Sequence, residues 1–192
     1  MVSGPASFHQ GHGALSHGLS HGDWQLVTGC RAPLLIVRSP GRQYYRNVVA
    51  AVDPFHAHSK PADLDRDILR LAKVVQSRAG ATLSVVHCYV PIEYFGGDLS
   101  RRAPADSPFG DARLEALRAL CADAGVSPQA AKLVAGAPHA VLTDMQRAGQ
   151  ADVVVIGGLA RGRFAELILG NTAERVLHRG SGDVLVITPS II

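Results

Sequence analysis

The chain has 192 residues, 47% apolar and 18% charged, a globular composition with material for one full core and a surplus beyond it. Its 19 basic and 16 acidic residues are scattered along the chain rather than gathered on one helix face, which gives no support to nucleic-acid binding. No apolar run approaches the roughly 20 residues that span a bilayer, the N-terminus lacks a signal-peptide layout, and Cys30, Cys88 and Cys121 form no CxxC pair; the expectation is a soluble, cytoplasmic protein with neither disulfide framework nor zinc knuckle.

Residues 1–22 are rich in Gly, Ser and His, and Ser16-His17-Gly18 recurs as Ser20-His21-Gly22. Such a stretch buries too little surface to offset its ordering entropy and is expected to be a disordered tail. His9, His12, His17 and His21 have no Cys or carboxylate ligand within it, so only adventitious metal affinity is expected there.

From Arg46 onward strand and helix patterns alternate. Asn47 to Val52 is an apolar run ending at Asp53; Leu64, Ile68, Leu71 and Val75 then recur at helical spacing, with Gly80 placed to end the helix. Leu83 to Val86 predicts a second strand, Leu114, Leu117 and Cys121 a second helix stopped by Gly125, and Lys132 to Ala135 a third strand. Pro138 suits the first turn of a helix whose buried face is Val141, Leu142 and Met145. Val153 to Ile156 and Val184 to Ile187 complete five strands. Strands separated by helices pair in parallel through right-handed crossovers, so the expected class is α/β, a five-stranded parallel doubly wound sheet with helices on both faces. Ligands in such sheets bind outside the carboxyl ends of the strands, where strand order reverses, and Asp53 and Gly157 stand at such ends.

The surplus residues carry an internal repeat. Leu26-Val27 and Pro33-Leu34-Leu35-Ile36-Val37 match Val176-Leu177 and Asp183-Val184-Leu185-Val186-Ile187 at a constant offset of 150. Residues 23–40 therefore read as the last helix and strand of a preceding unit of the same fold. A lone strand leaves its ladder groups unpaired and seeks a sheet edge. Val184 to Ile187 is the candidate partner, in the same chain or in a second copy, and a homodimer through these terminal edge strands is expected.

The most informative stretch is the apolar run Asp152-Val153-Val154-Val155-Ile156, which breaks into Gly157-Gly158-Leu159-Ala160-Arg161-Gly162 and is closed by Gly170-Asn171-Thr172. A β-branched strand that runs into glycines and then opens a helix brings backbone N–H groups up to a phosphate. Together with Val52-Asp53, Val86-His87-Cys88 and Gly136-Ala137-Pro138, this order of motifs resembles the universal stress protein family over Arg46 to Pro189. Asp23-Trp24 before a terminal strand, and Gly170-Asn171-Thr172-Ala173-Glu174, resemble its tandem E-type members. On that resemblance 23–40 is the end of a first domain and 46–189 a complete Rossmann-like second one.

The resemblance implies a site for ATP or a related nucleotide, with magnesium, formed by Val52, Asp53, Cys88, Ile156, Gly157, Gly158, Ala160, Arg161, Gly170, Asn171 and Thr172. Asp53 would meet the base or ribose, and Cys88 would line the base pocket. The family motif is Gly, two residues, Gly, nine residues, Gly, then a small hydroxyl residue. Gly157 and Gly170 fit it, whereas Ala160 replaces the middle glycine and Asn171 the hydroxyl residue. If the middle position needs φ > 0, a Cβ there costs roughly 1 kcal/mol or more. Gly158 and Gly162 offer the loop another path, Arg161 a charge-assisted donor, and Asn171 a cap and an amide donor.

Plainer roles exist for each residue. Asp53 precedes Pro54 as turn residues do, Cys88 has the character of a small buried hydrophobe, and His87, Arg161 and Arg163 need be no more than a strand end and solvated cations. A second functional reading rests on the long connection Tyr89 to Asp111, whose Tyr94, Phe95 and Phe109 suit an apolar or lipid-like ligand or a protein partner. The chain carries no Walker lysine motif, no Gly-x-Ser-x-Gly and no His-Glu-x-x-His, so a binding module or sensor is expected rather than an enzyme.

Overall fold

The computed structural model describes residues 19–30, 32–55, 63–90, 108–160 and 167–188. The tail before Leu19, Tyr94, Phe95, the side chain of Phe109 and Arg161 to Arg163 lie outside the described residues. Chain order is α1 (His21–Gly29), β1 (Leu34–Ile36), β2 (Asn47–Ala51), α2 (Leu64–Ala79), β3 (Thr82–Tyr89), α3 (Pro108–Asp123), β4 (Ala131–Ala135), α4 (Pro138–Arg147), β5 (Val153–Gly157), β6 (Leu159–Ala160), β7 (Leu167–Ile168), α5 (Asn171–Arg179) and β8 (Asp183–Ile187).

The main sheet runs β1-β8-β5-β2-β3-β4. Its last five members are parallel, as expected of strands joined by helices. The sheet has six strands rather than five, because β1 adds antiparallel to β8, Leu34 opposite Val186 and Ile36 opposite Val184. The lone strand thus satisfies its ladder groups within its own chain. β2 lies between β5 and β3, so strand order reverses beside it and opens a crevice at the carboxyl ends of β2 and β5. β6 and β7 form a separate two-stranded antiparallel ribbon after β5, which periodicity did not announce.

Alternation along the strands divides the core into two layers. Val48, Ala50, Val153 and Val155 meet Leu64, Ile68, Leu69 and Ala72 of α2 and Leu117 and Cys121 of α3. Val49, Val154, Ile156, Val184 and Val186 meet Leu142 of α4, Ala173, Val176 and Leu177 of α5, and Val27 of α1. Gly80 ends α2 in the left-handed region at φ 63°, as its position foretold. α1 begins at His21, inside the stretch read as tail. Ser20 Oγ accepts from Asp23 N–H while Asp23 Oδ2 accepts from Ser20 N–H, a capping box strong enough to order the last residues of that stretch.

Two carboxylates tie the connection between β1 and β2 to the opposite end of the sheet from the crevice. Asp183, buried, accepts from the amides of Arg38 and Ser39 and from Tyr45 Oη–H at 2.8 Å. Burial and the bond to Asp183 push the Tyr45 phenol up to about 12. Asp152 accepts from the amides of Arg46 and Asn47 and pairs with Arg42. Burial alone would raise its carboxyl, but these donors hold it below the ordinary value.

Candidate functional site

The crevice at the reversal point opens into a cavity of about 710 Å³, within the range of small-molecule sites. Its floor is made by the ends of β2 and β5. Val52, Asp53, Ile156 and Gly157 line it, joined by Cys88 from β3 and by Gly170, Asn171 and Thr172 at the start of α5. Eight of the residues singled out in the sequence therefore converge. Gly158 is turned away from this cavity, donating its N–H to Ile187 O at 2.8 Å. Ala160 pairs with Leu167 in the β6–β7 ribbon. Arg161 lies outside the described residues.

Two expectations about the loop change. Asn171 is the first residue of α5 rather than its cap; the N-cap is Gly170, at φ −64° and ψ 145°, where any residue fits and where glycine has no side chain to offer the helix. Gly157 has a packing reason to be glycine. A Cβ there would stand 2.6 Å from Leu64 Cδ2, so the residue lets the first turn of α2 close over the end of β5.

Asp53 is held by its neighbours. Its N–H donates to Asp65 Oδ1, its Oδ1 accepts from Phe55 N–H in a local turn, and that oxygen is 3.8 Å from His87 Nδ1. The buried Asp65 belongs to the first turn of α2, so the end of β2 and the start of α2 are fastened together at the cavity wall. His87 Nδ1 is 3.2 Å from Val52 O, the arrangement of an Nδ1–H donor. The Phe55 ring lies 5.6 Å from the His87 ring, and the Arg113 guanidinium stands 4.9 Å from the Phe55 centroid. Burial pushes the Cys88 thiol up to about 12, so at neutral pH it is a protonated, unreactive lining group.

The other rim is cationic. Arg175 of α5 and His139 of α4 both line the cavity, and Arg175 Nη1 is 3.3 Å from His139 Nε2. Burial, then the charges of Arg175 and Arg179, hold the His139 imidazole below its usual value, so it is neutral at pH 7 and accepts from Arg175. Sequence reasoning missed Arg113, His139 and Arg175, which come from three different helices. Their only sequence signal is one the glycine motif did not use: His139 follows Pro138 at a helix start, and Arg175 is one helical turn into α5. Among the described residues no group of three or more His, Cys, Asp or Glu is placed to hold a metal ion, and no helix is long and apolar enough to cross a membrane.

Residues 44–188 match the sequence profile of the universal stress protein family. Universal stress protein E of Escherichia coli K12 is 27% identical over 178 aligned residues, covering 87% of this chain and 54% of that protein. That share exceeds what the profile match spans, so the likeness runs into the segment before Tyr44. The chain spans about half the length of such relatives. A functionally unknown protein from Pseudomonas aeruginosa PAO1 superposes with a TM-score of 0.69 at 28% identity, over 90% of this chain and 58% of that one. A universal stress protein solved in complex with cAMP shares the fold, with a TM-score of 0.51 and 22% identity over 77% of this chain and all of its own. Profile, relatives and fold agree: the chain belongs to the universal stress protein family, with E-type members among the proteins it is similar to.

Proposed function

We propose that the cavity binds ATP or a related nucleotide and that the protein acts as a nucleotide-responsive binding module. One observation carries the reading: α5 starts on a residue with no capping side chain, and that uncapped end lines a cavity whose rim holds Arg175 and Arg113. N–H groups that no side chain among the described residues caps, and the positive end of the helix dipole, favour an anion there. The phosphates would lie against Gly170, Asn171 and Thr172 with Arg175 as a charge-assisted donor. The base would enter between Val52, Cys88 and Ile156, and Asp53 would meet the base or ribose. Magnesium would arrive with the phosphates, because Mg²⁺ binds through substrate oxygens and water more readily than in a protein cage. The family's cAMP complex supports this for the fold, not for this chain.

Among the described residues that line the cavity, two candidates for chemistry are held in other states. Cys88 is protonated, and Asp53 is already engaged by its own turn. Thermal unfolding with ATP, with and without magnesium, tests the proposal. At tenfold excess over Kd, binding adds about 1.4 kcal/mol, which for a chain of this size raises Tm by about 3–6 °C. Arg175→Ala is expected to remove most of that shift while leaving the unliganded Tm in place. No shift at millimolar ATP, AMP or cAMP would sink the reading.

A second reading, a hydrophobic or lipid-like ligand, rests on the aliphatic side of the same cavity, where Leu64, Ile68, Leu142 and Ile156 line the wall. It predicts a retained apolar molecule in native mass spectra and indifference to ATP.

A further inference from the structure

Several arginines of the fold have a carboxylate beside them. Arg42, Arg66, Arg70, Arg118 and Arg147 each have an Asp or Glu oxygen within ion-pair reach. Arg113 and Arg175, which line the cavity, have no such partner among the described residues: Arg175 meets the His139 ring, and Arg113 lies over the ring of Phe55. Asp53 is the one carboxylate among the described lining residues, and its Oδ1 already accepts from Phe55 N–H. The lining is therefore cationic on balance, and an excess of one sign in a cleft draws in the other.

The place of Arg113 on its helix is unusual for a cation. Residues 113, 117 and 121 recur every fourth position along α3 and so share one face. Leu117 and Cys121 of that face are fully buried against the sheet. Where the stripe passes the carboxyl ends of the strands, it continues with a guanidinium in place of an apolar side chain. Arg118, next to Leu117, shows the ordinary alternative, exposed and paired with Glu115. Phe55, 44% exposed, gives Arg113 an aromatic face that holds the guanidinium without neutralising it.

The two arginines also come from opposite faces of the sheet. α3 packs in one layer of the core, and α4 and α5 pack in the other. Arg175 belongs to the end of the cavity assigned above to the phosphates. Arg113 stands at Phe55, two residues after Asp53, the group assigned to the base or ribose. A nucleotide with phosphates on its 5′ oxygen alone answers one of these cations and leaves the other without a counter-charge.

We infer, resting on the nucleotide reading above, that the ligand carries a second phosphate monoester on its ribose 2′ or 3′ oxygen, and that Arg113 is the residue that selects it. The 5′ phosphates occupy the start of α5 with Arg175, and the ribose phosphate lies across the strand ends at Arg113. A guanidinium fork matches phosphate oxygens two at a time. Asp53 is left for the remaining ribose hydroxyl.

Calorimetry of the full chain with AMP, ATP, adenosine 2′,5′-bisphosphate and adenosine 3′,5′-bisphosphate tests the inference. One bisphosphate is expected to bind roughly tenfold or more tighter than AMP, the range of one charge-assisted hydrogen bond. Arg113→Ala should bring that bisphosphate close to AMP while preserving the ratio of ATP to AMP affinity. Arg113→Lys, which keeps the charge without the fork, should restore part of the preference. If Arg113→Ala does not fold, Arg113→Gln, which keeps a stem against Phe55, takes its place. The inference alone is overturned if AMP or ATP binds and neither bisphosphate gains over AMP, or if the gain survives removal of the Arg113 charge. It is also overturned if that removal lowers the ATP-to-AMP ratio, which would put Arg113 on the 5′ phosphate chain. Binding of none of these probes would overturn the nucleotide reading and this inference with it.

Discussion

The N-termini of α1 and α5 occupy equivalent places in the repeat and are finished in opposite ways. At α1 the N-cap is Ser20, and Asp23 returns a carboxylate to it, so the helix end supplies its own anion. At α5 the equivalent positions are Gly170 and Ala173; neither offers an oxygen, and the end opens into the cavity beside Arg175. A free helix end is costly when buried without partners. Among the described residues no side chain closes the α5 end, and the proposed phosphate site makes use of that difference.

The largest effect expected from disturbing this comparison falls on how the α1 half is held to the domain. Asp183→Ala removes a buried acceptor of two amides and the Tyr45 phenol. Hydrogen bonds to a charged group are worth about 1.5–3 kcal/mol, so a loss of about 3 kcal/mol in denaturant unfolding is expected. Hydrogen exchange should place the loss mainly in 21–45, with β2 and β5 still protected. Uniform loosening of the whole sheet would mean that the α1 half is integral to the core rather than docked on it.

Closing the open end comes next. Gly170→Asp gives α5 the kind of oxygen that α1 has, at a backbone geometry any residue accepts. Nucleotide affinity is expected to fall at least tenfold, about 1.4 kcal/mol, while Tm holds or rises, because capping and the helix dipole favour a carboxylate there. Ser20→Ala makes the opposite change at α1; it should lower stability by about 0.5–2 kcal/mol and leave nucleotide binding, measured by calorimetry, unchanged. Equal effects of the two variants on binding would erase the distinction between the two ends.

What was legible in the sequence was local or periodic. The apolar periodicity of α2, the β-branched runs of β5 and β8, and Gly80 as a helix stop each depend on neighbours within a few residues. The offset of 150 also pointed from Leu34–Ile36 to the right partner strand, though not to one molecule rather than two. The capping box at Ser20 is equally local, and was masked by the Gly, Ser and His around it. The remainder is long-range. Asp152 and Asp183 find their donors more than 100 positions away, Leu64 meets Gly157 across the sheet, and Arg113, His139 and Arg175 meet at the cavity only because three helices start or pass there. No spacing rule connects such residues. The glycine motif did not reveal that Gly157 also makes room for Leu64 or that Gly170 is the N-cap of α5.

The smallest expected effect separates the open end from a merely cationic surface. His139 is held below its usual value by burial and by Arg175 and Arg179, so in the unliganded fold its proton is lost more readily than in the unfolded chain. Its contribution to stability is present above about pH 6.5 and falls as the pH drops from there through the lowered folded value. Bound phosphates reverse the balance by favouring the imidazolium, so binding should take up a fraction of a proton near pH 6 and tighten a few-fold on acidification. The phosphates themselves titrate near pH 6, so the wild type must be read against His139→Gln in the same buffers. Calorimetry in buffers of different ionisation heat should show proton uptake that exceeds the variant's. Identical uptake would place the phosphates away from the α4–α5 rim, where Arg175 Nη1 meets His139 Nε2.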